Sequence, residues 1–257
     1  MLGASIGDIV GSVYEKREIK STDFELFTRF SRFTDDTVMT IATADCILRD
    51  GDYTEFYQKY GQKYPKKGYG GTFQNWIFAA NPQPYNSWGN GSAMRVSPVA
   101  YIFDNIDDVL AEAKKSAEVT HNHPEGIKGA QAIAAAVFLA NNDVDKNGIK
   151  DYIEKKFGYD LNRKIDDIRK DYKFDVSCQG SVPESIIAFL ESTDFESAIR
   201  LAISLGGDAD TLAAMAGSIA EAFYKDIPSF ILKESKSRLP EEFLKVIDDF
   251  YEKYITK

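Results

Sequence analysis

Two short acidic motifs constrain this chain most, Thr34-Asp35-Asp36-Thr37 and Gly207-Asp208-Ala209-Asp210-Thr211. Each stands directly before an apolar, Ala-rich stretch that reads as a helix. They lie about 170 residues apart yet resemble one another, so a fold that uses both must bring two helix starts together. Asp and Thr are ordinary helix N-caps, because their oxygens accept from free backbone N–H groups, and negative charge suits that end of the helix dipole. A cap needs one acceptor, however, and each motif offers more than one. Gly206-Gly207 also precedes the second motif with no side chain to block a close approach. Carboxylates and hydroxyls are hard oxygen donors, matched to Mg²⁺, Mn²⁺ or Ca²⁺ and poorly to zinc or copper. Converging carboxylates repel one another strongly at low dielectric, and a bound dication removes that cost.

Helical periodicity predominates. Apolar residues recur at helical spacing over Val38–Leu48, Ile106–Ala117, Gly129–Ala140, Val182–Leu190, Phe195–Leu205 and Leu212–Tyr224, and strand-like alternation is nearly absent. Asp104, Ser181, Asp194 and Asp210 are the expected caps. Gly3, Gly7 and Gly11 fall on one helix face, which suits close helix packing, and Glu15 is expected at that helix's end, where a carboxylate is unfavourable to the dipole. Tyr64–Gly71 and Asn81–Gly91 are loops rich in Gly, Pro and Asn. Asn141–Lys173 reads as solvated helix and loop, and Pro240–Lys257 as an amphipathic surface helix. The expected fold is all-α, a compact single-domain helical bundle over residues 1–257.

The chain has 257 residues, long enough for one sizeable core. A net charge of −9 argues against nonspecific nucleic-acid binding. Cys46 and Cys178 show neither metal spacing nor a disulfide framework, which fits a reducing, cytoplasmic setting. The first residues lack a basic n-region, and no apolar run reaches the roughly 18 residues of a spanning helix, so no membrane partner is expected. With only His121 and His123, a histidine-rich metal site is excluded. Ser87 to Ser92 could form an anion nest of backbone N–H groups or an ordinary Gly/Asn turn, followed by a helix start near Ala93. No Walker motif and no dinucleotide fingerprint are present.

Six segments in order carry a resemblance. They are Gly3 to Glu15, Thr34 to Thr37, Gly89 to Arg95, Thr120-His121 with Gly126, Val182-Pro183, and Gly206 to Thr211. Together they resemble the ADP-ribosylglycohydrolases, a family that includes hydrolases of ADP-ribosyl-arginine and ADP-ribosyl-serine. The resemblance implies an all-α fold with two Mg²⁺ (or Mn²⁺) at the base of an ADP-ribose cleft. It implies Thr34, Asp35, Asp36, Asp208, Asp210 and Thr211 as metal ligands, in agreement with their donor chemistry. It makes Glu15 the family's mobile glutamate, with Glu15 or Asp36 as base towards the attacking water. Ser87, Trp88, Gly89, Asn90 and Gly91 are placed around the diphosphate, His121 on the adenosine side, and Gly70 and Gly71 along the cleft. The implied reaction is hydrolysis of an ADP-ribosyl bond at C1″, releasing ADP-ribose from a protein or small-molecule acceptor, arginine-type first and serine-type next. A catalytically silent ADP-ribose binder and a Mg²⁺-dependent nucleotide-diphosphate phosphohydrolase are the rival readings. Departures are Ala209 within the last motif, Trp88 where another aromatic is common, and a short chain that is expected to trim acceptor-binding loops.

Overall fold

The computed structural model describes residues 1–256. The described residues form helices and turns, with one isolated bridge between Gly89 and Ser177 in place of any sheet. The chain opens with α1 (Leu2–Gly11), α2 (Asp35–Leu48), α3 (Tyr53–Lys63), α4 (Gly71–Ile77) and the single turn α5 (Gly91–Met94). A 3₁₀ segment (Ser97–Tyr101) leads to α6 (Ile106–Glu118), α7 (Pro124–Asn141), α8 (Lys146–Phe157) and α9 (Ile165–Asp171). It closes with α10 (Cys178–Glu191), α11 (Phe195–Ile203), α12 (Ala209–Tyr224), α13 (Ser229–Lys236) and α14 (Glu241–Tyr254). The all-α expectation is met.

Helix α12 is the axis of the molecule. It packs against α1, α7, α10 and α11. Its residues are small, so helices close on it from several sides. The α1 contact is the tightest. A Cβ on Gly3 would fall on the Gly217 carbonyl, one on Gly7 on the Ala213 carbonyl, and one on Gly11 against the Asp210 backbone. The glycine face read from the sequence is therefore the surface that lets two backbones touch. All of α1 is buried, including Asp8.

Several boundaries move from their expected places. Helix α2 begins at Asp35, so the acidic motif is its first turn. Asp194 caps α11 as expected, in a reciprocal capping box with Ser197. The other three expected caps are displaced. Asn105 caps α6 and Ser177 caps α10, each by accepting from the N–H three residues on. Asp210 lies inside the first turn of α12, and the N-cap position belongs to Asp208, whose side chain makes no cap bond. Helix α10 runs through Pro183, which sits in the second turn and removes one donor. The amphipathic C-terminal helix is present as α14. It buries Phe243, Val246, Ile247 and Phe250 and packs on α2; Lys257 lies outside the described residues.

Gly7→Val should destabilise the protein by about 3 kcal/mol or more, because the blocking atom is backbone and cannot step aside. Gly70→Ala, where a Cβ meets nothing within 4 Å, should change stability by less than about 0.5 kcal/mol. Denaturant melts of both variants check this. Equal stabilities would remove the α1–α12 contact from its central role.

Candidate metal centre and cleft

A cleft of about 800 Å³ opens between the start of α2, the start of α12 and the loops before α4 and α5. Three carboxylates converge at its base. Asp8 of α1, Asp36 of α2 and Asp210 of α12 each place an oxygen within 4.8 Å of the others, and all three are buried. The two motifs that the sequence separates do meet, and a third helix joins them. Asp35, Asp208 and Thr211 line the cleft beside this group.

Asp8 was not singled out from the sequence, yet it organises the site. It accepts from Thr34 N at 2.8 Å, Thr34 Oγ1 at 2.6 Å, Thr37 N at 3.0 Å and Thr37 Oγ1. A helix normally satisfies its first N–H groups with a local cap. Thr34 holds the N-cap position of α2 but makes no cap bond, because a carboxylate from α1 takes the cap's place. The available signal was a lone charge within the apolar, glycine-rich stretch Leu2–Gly11.

The remaining oxygens are under-satisfied for their burial. Thr211 Oγ1 donates to Asp36 Oδ2 at 3.3 Å, while Asp36 Oδ1 is buried without a partner. Asp210 Oδ1 accepts from Thr211 N at 3.0 Å. Asn90 Nδ2 donates to Asp208 Oδ2 at 2.7 Å. Burial pushes the carboxyls of Asp35, Asp36 and Asp210 well above the ordinary carboxylate range, and their mutual repulsion adds to it. Burial raises Asp8 and Asp208 as well, against the hydrogen bonds from Thr34 and Thr37 and from Asn90 respectively. Capping alone does not account for such a set. It concentrates like charge where water is scarce and leaves one oxygen orphaned. Hard oxygen donors with an orphaned lone pair fit a divalent cation.

The approach to α12 depends on two left-handed glycines. Gly206 and Gly207 have φ of +74° and +69°, which turn the chain from α11 directly onto Asp208. Glu15 lies beyond the end of α1. Its N–H donates to Gly11 O at 3.2 Å, and the side chain is half-buried on the cleft wall. Its position therefore owes little to the dipole of α1, and its charge contributes to raising Asp35, Asp208 and Asp210.

The other expected residues are divided in their roles. Gly70, Gly71, Ser87, Trp88, Gly89, Asn90, Gly91 and His121 all border the cleft. Asn90, however, spends its amide on Asp208. The nest expected of this segment is partly used up internally, since Gly89 N donates to Ser87 Oγ and Asn90 N to Val176 O. His121 is buried, and burial together with the nearby Arg95 charge holds its pKa well below the usual histidine value, so the ring is neutral. Arg95 donates to Thr120 Oγ1 at 2.8 Å, and that hydroxyl lies 2.7 Å from His121 Nδ1. The ring is thereby held in place with Nε2 beside Gly89 and Gly91.

Arg95 is the second residue that the sequence reading passed over. It is 1% exposed, stacks 4.1 Å over the Tyr57 ring, and has no carboxylate partner among the described residues. A buried guanidinium bordering a cleft is a fixed positive charge under its floor. Its sequence signal was weak, because nothing in Ala93-Met94-Arg95-Val96 distinguishes a buried arginine from a solvated one.

Comparison with known proteins places this geometry. The family model described as ADP-ribosylglycohydrolase matches residues 1–257. The ADP-ribosylhydrolase ARH3 of Mus musculus is 29% identical over 87% of this chain and 82% of its own length. The ADP-ribosylarginine hydrolase Tri1 of Pseudomonas putida is 27% identical over 87% of this chain and 69% of its own. A solved structure described as an ADP-ribosylglycohydrolase-related protein complex superposes with a TM-score of 0.74 at 26% identity, covering 98% of this chain and 95% of that one. The chain belongs to the ADP-ribosylglycohydrolase family.

Proposed function

We propose that the protein hydrolyses an ADP-ribosyl bond at C1″ and releases ADP-ribose, with an arginine-type acceptor favoured and a serine-type acceptor next. The observation that carries this reading is the orphaned Asp36 oxygen within the buried carboxylates, at the base of a cleft with an unpaired buried guanidinium under its floor. A negative end suits cations and the sugar hydroxyls they would bind, and a fixed positive charge suits a diphosphate. The cleft volume lies in the range of small-molecule sites, about 300–1,000 Å³. The name of the Pseudomonas relative supports arginine as the acceptor.

In this reading Asp35, Asp36, Asp208, Asp210 and Thr211 would hold two Mg²⁺ or Mn²⁺, joined by Thr34, whose hydroxyl proton is already committed to Asp8. When bound, the cations supply Lewis-acid polarisation and a fixed point for orienting ribose and water. The chain's own groups do the rest. Asp8 positions Thr34 and Thr37, and Asn90 positions Asp208. Glu15 faces the same space from its own turn and takes the proton of the attacking water, with Asp36 as the other candidate base. The C1″–acceptor bond breaks as the water oxygen adds, and the proton taken by the base is returned to the acceptor as it leaves, so that one water is divided between C1″ and the acceptor. Carboxylates nearby stabilise the positive charge that develops on the ribose. His121 offers a neutral ring, and Ser87 to Gly91 with Gly70 and Gly71 border the remainder of the ligand.

Incubation with ADP-ribosyl-arginine and ADP-ribosyl-serine peptides, followed by mass spectrometry, should show ADP-ribose released with Mg²⁺ and not with EDTA. Release of AMP or phosphate instead would favour a phosphohydrolase, and binding without turnover a silent binder. Asp208→Ala and Asp210→Ala should abolish metal-dependent turnover, and full activity in either would overturn the centre. Glu15→Gln should slow turnover by roughly 10²–10⁴-fold, the span usual for a lost general base, while Mg²⁺ still stabilises the fold.

The raised carboxyls also fix a pH dependence. Between the ordinary carboxylate pKa and their raised values the folded, metal-free protein binds more protons than the unfolded chain, so its stability falls as pH rises through that window. A bound cation relieves the repulsion where the groups are ionised. The gain in Tm on adding Mg²⁺ should therefore be larger at about pH 8 than at about pH 5 in differential scanning fluorimetry. An equal or reversed gain would separate cation binding from these carboxylates.

A further inference from the structure

One wall of the cleft mouth carries positive charge that the chemistry above does not use. Lys16, Arg32, Lys66 and Lys67 all border it. They come from three chain segments that two hydrogen bonds draw together. Arg32 N donates to Ser12 Oγ at 3.2 Å, next to the turn that carries Lys16, and Asp35 N donates to Lys67 O at 3.0 Å. Lys67 is fixed, with its ammonium 3.3 Å from the Phe33 ring centre and donating to Phe33 O at 3.3 Å. Its pKa is lowered, first by burial, against the charge of Asp8 and with the charge of Arg32 adding to the effect. Lys16, Arg32 and Lys66 are exposed.

Across the described residues, acidic groups pair with other lysines and arginines, and none of these four enters an ion pair. Four unpaired cations at one rim are unusual on a chain of net charge −9. Charge balance with the buried carboxylates is the bland explanation, and it accounts for part of Lys67, which feels the charge of Asp8. Lys16, Arg32 and Lys66 are exposed and pair with none of them, and cations bound at the carboxylates would offset most of that charge and leave the rim positive. We propose that this rim, resting on the ADP-ribosyl-hydrolase reading, receives an acidic stretch of protein flanking the modified side chain. An acidic peptide fits better than a nucleic acid, because the rest of the surface repels a long polyanion.

The test is binding of a short fluorescein-labelled Asp/Glu-rich peptide and its Asn/Gln counterpart to the Mg²⁺-loaded protein, followed by anisotropy. The acidic peptide should bind about fivefold tighter or more, with the gap closing at high salt. Arg32→Glu with Lys66→Glu should erase the gap, while ADP-ribose affinity stays within about twofold of the original. Equal binding of the two peptides, or a preference that survives the double variant, would overturn the proposal, as would displacement of the acidic peptide by an oligonucleotide of equal charge at lower concentration. Failure to release ADP-ribose from any substrate, with the peptide preference intact, would count against the hydrolase reading and leave the rim standing.

Discussion

The structure turns on one buried carboxylate acting across helices. Asp8 enters no ion pair and accepts four hydrogen bonds, all from the threonines that frame the first acidic motif. A carboxylate held this way fixes the start of α2 relative to α1, and α1 is fixed to α12 by the glycine contact. The two acidic motifs thus share a frame through Asp8 and not through any contact of their own backbones. The short side chains of α1 are a condition for this. A larger face would hold α12 away and open the distance over which Asp36 and Asp210 now meet.

That frame forces an electrostatic conflict and confines it. Desolvation and mutual repulsion both disfavour ionised Asp35, Asp36 and Asp210, and local hydrogen bonds answer only part of the demand. The rest of the fold is arranged so that the conflict is not relaxed by movement. Arg95 is anchored between Tyr57, Ser116 and Thr120 and cannot swing towards the carboxylates. Asp208 is pinned by Asn90. A site that cannot spread out, and whose charge is relieved only by protons or by an external cation, is poised for that cation, and strain of this kind is held by packing elsewhere.

Most of the helices were legible because their periodicity and their burial coincide. The glycine face of α1 was legible for the same reason, since spacing alone decides which glycines share a side. The caps were not. Asp104, Ser181 and Asp210 all carry acceptable cap chemistry, but the chain used Asn105, Ser177 and Asp208, and only the last of these follows from the site. The acidic motifs were legible as donors because they offer more oxygens than capping needs. Asp8 and Arg95 were not legible as site residues, because their importance lies in tertiary partners. Asp8 takes its hydrogen bonds from threonines of another helix, and Arg95 is buried among Tyr57, Ser116 and Thr120 with no carboxylate partner among the described residues, and neither arrangement leaves a mark in local sequence. Asn90 was legible as a cleft residue from its place in a Gly-rich loop, but not the bond by which its amide holds Asp208.

The cleft acquires a direction from these separations. Its base is negative, set by carboxylates from three helices. Arg95 adds a fixed positive charge, which after burial helps keep His121 neutral. The cleft lining also carries the rim cations and exposed Trp88 and Phe174. Opposite charges placed this close would normally pair and cancel. Here the helices that carry them are locked by backbone contacts, so the charges persist as separate features. In the proposed reading the carboxylates suit cation-bound sugar hydroxyls, Arg95 suits a diphosphate, and exposed Trp88 and Phe174 offer aromatic surface, so helix packing and not any single motif brings these demands into one cleft.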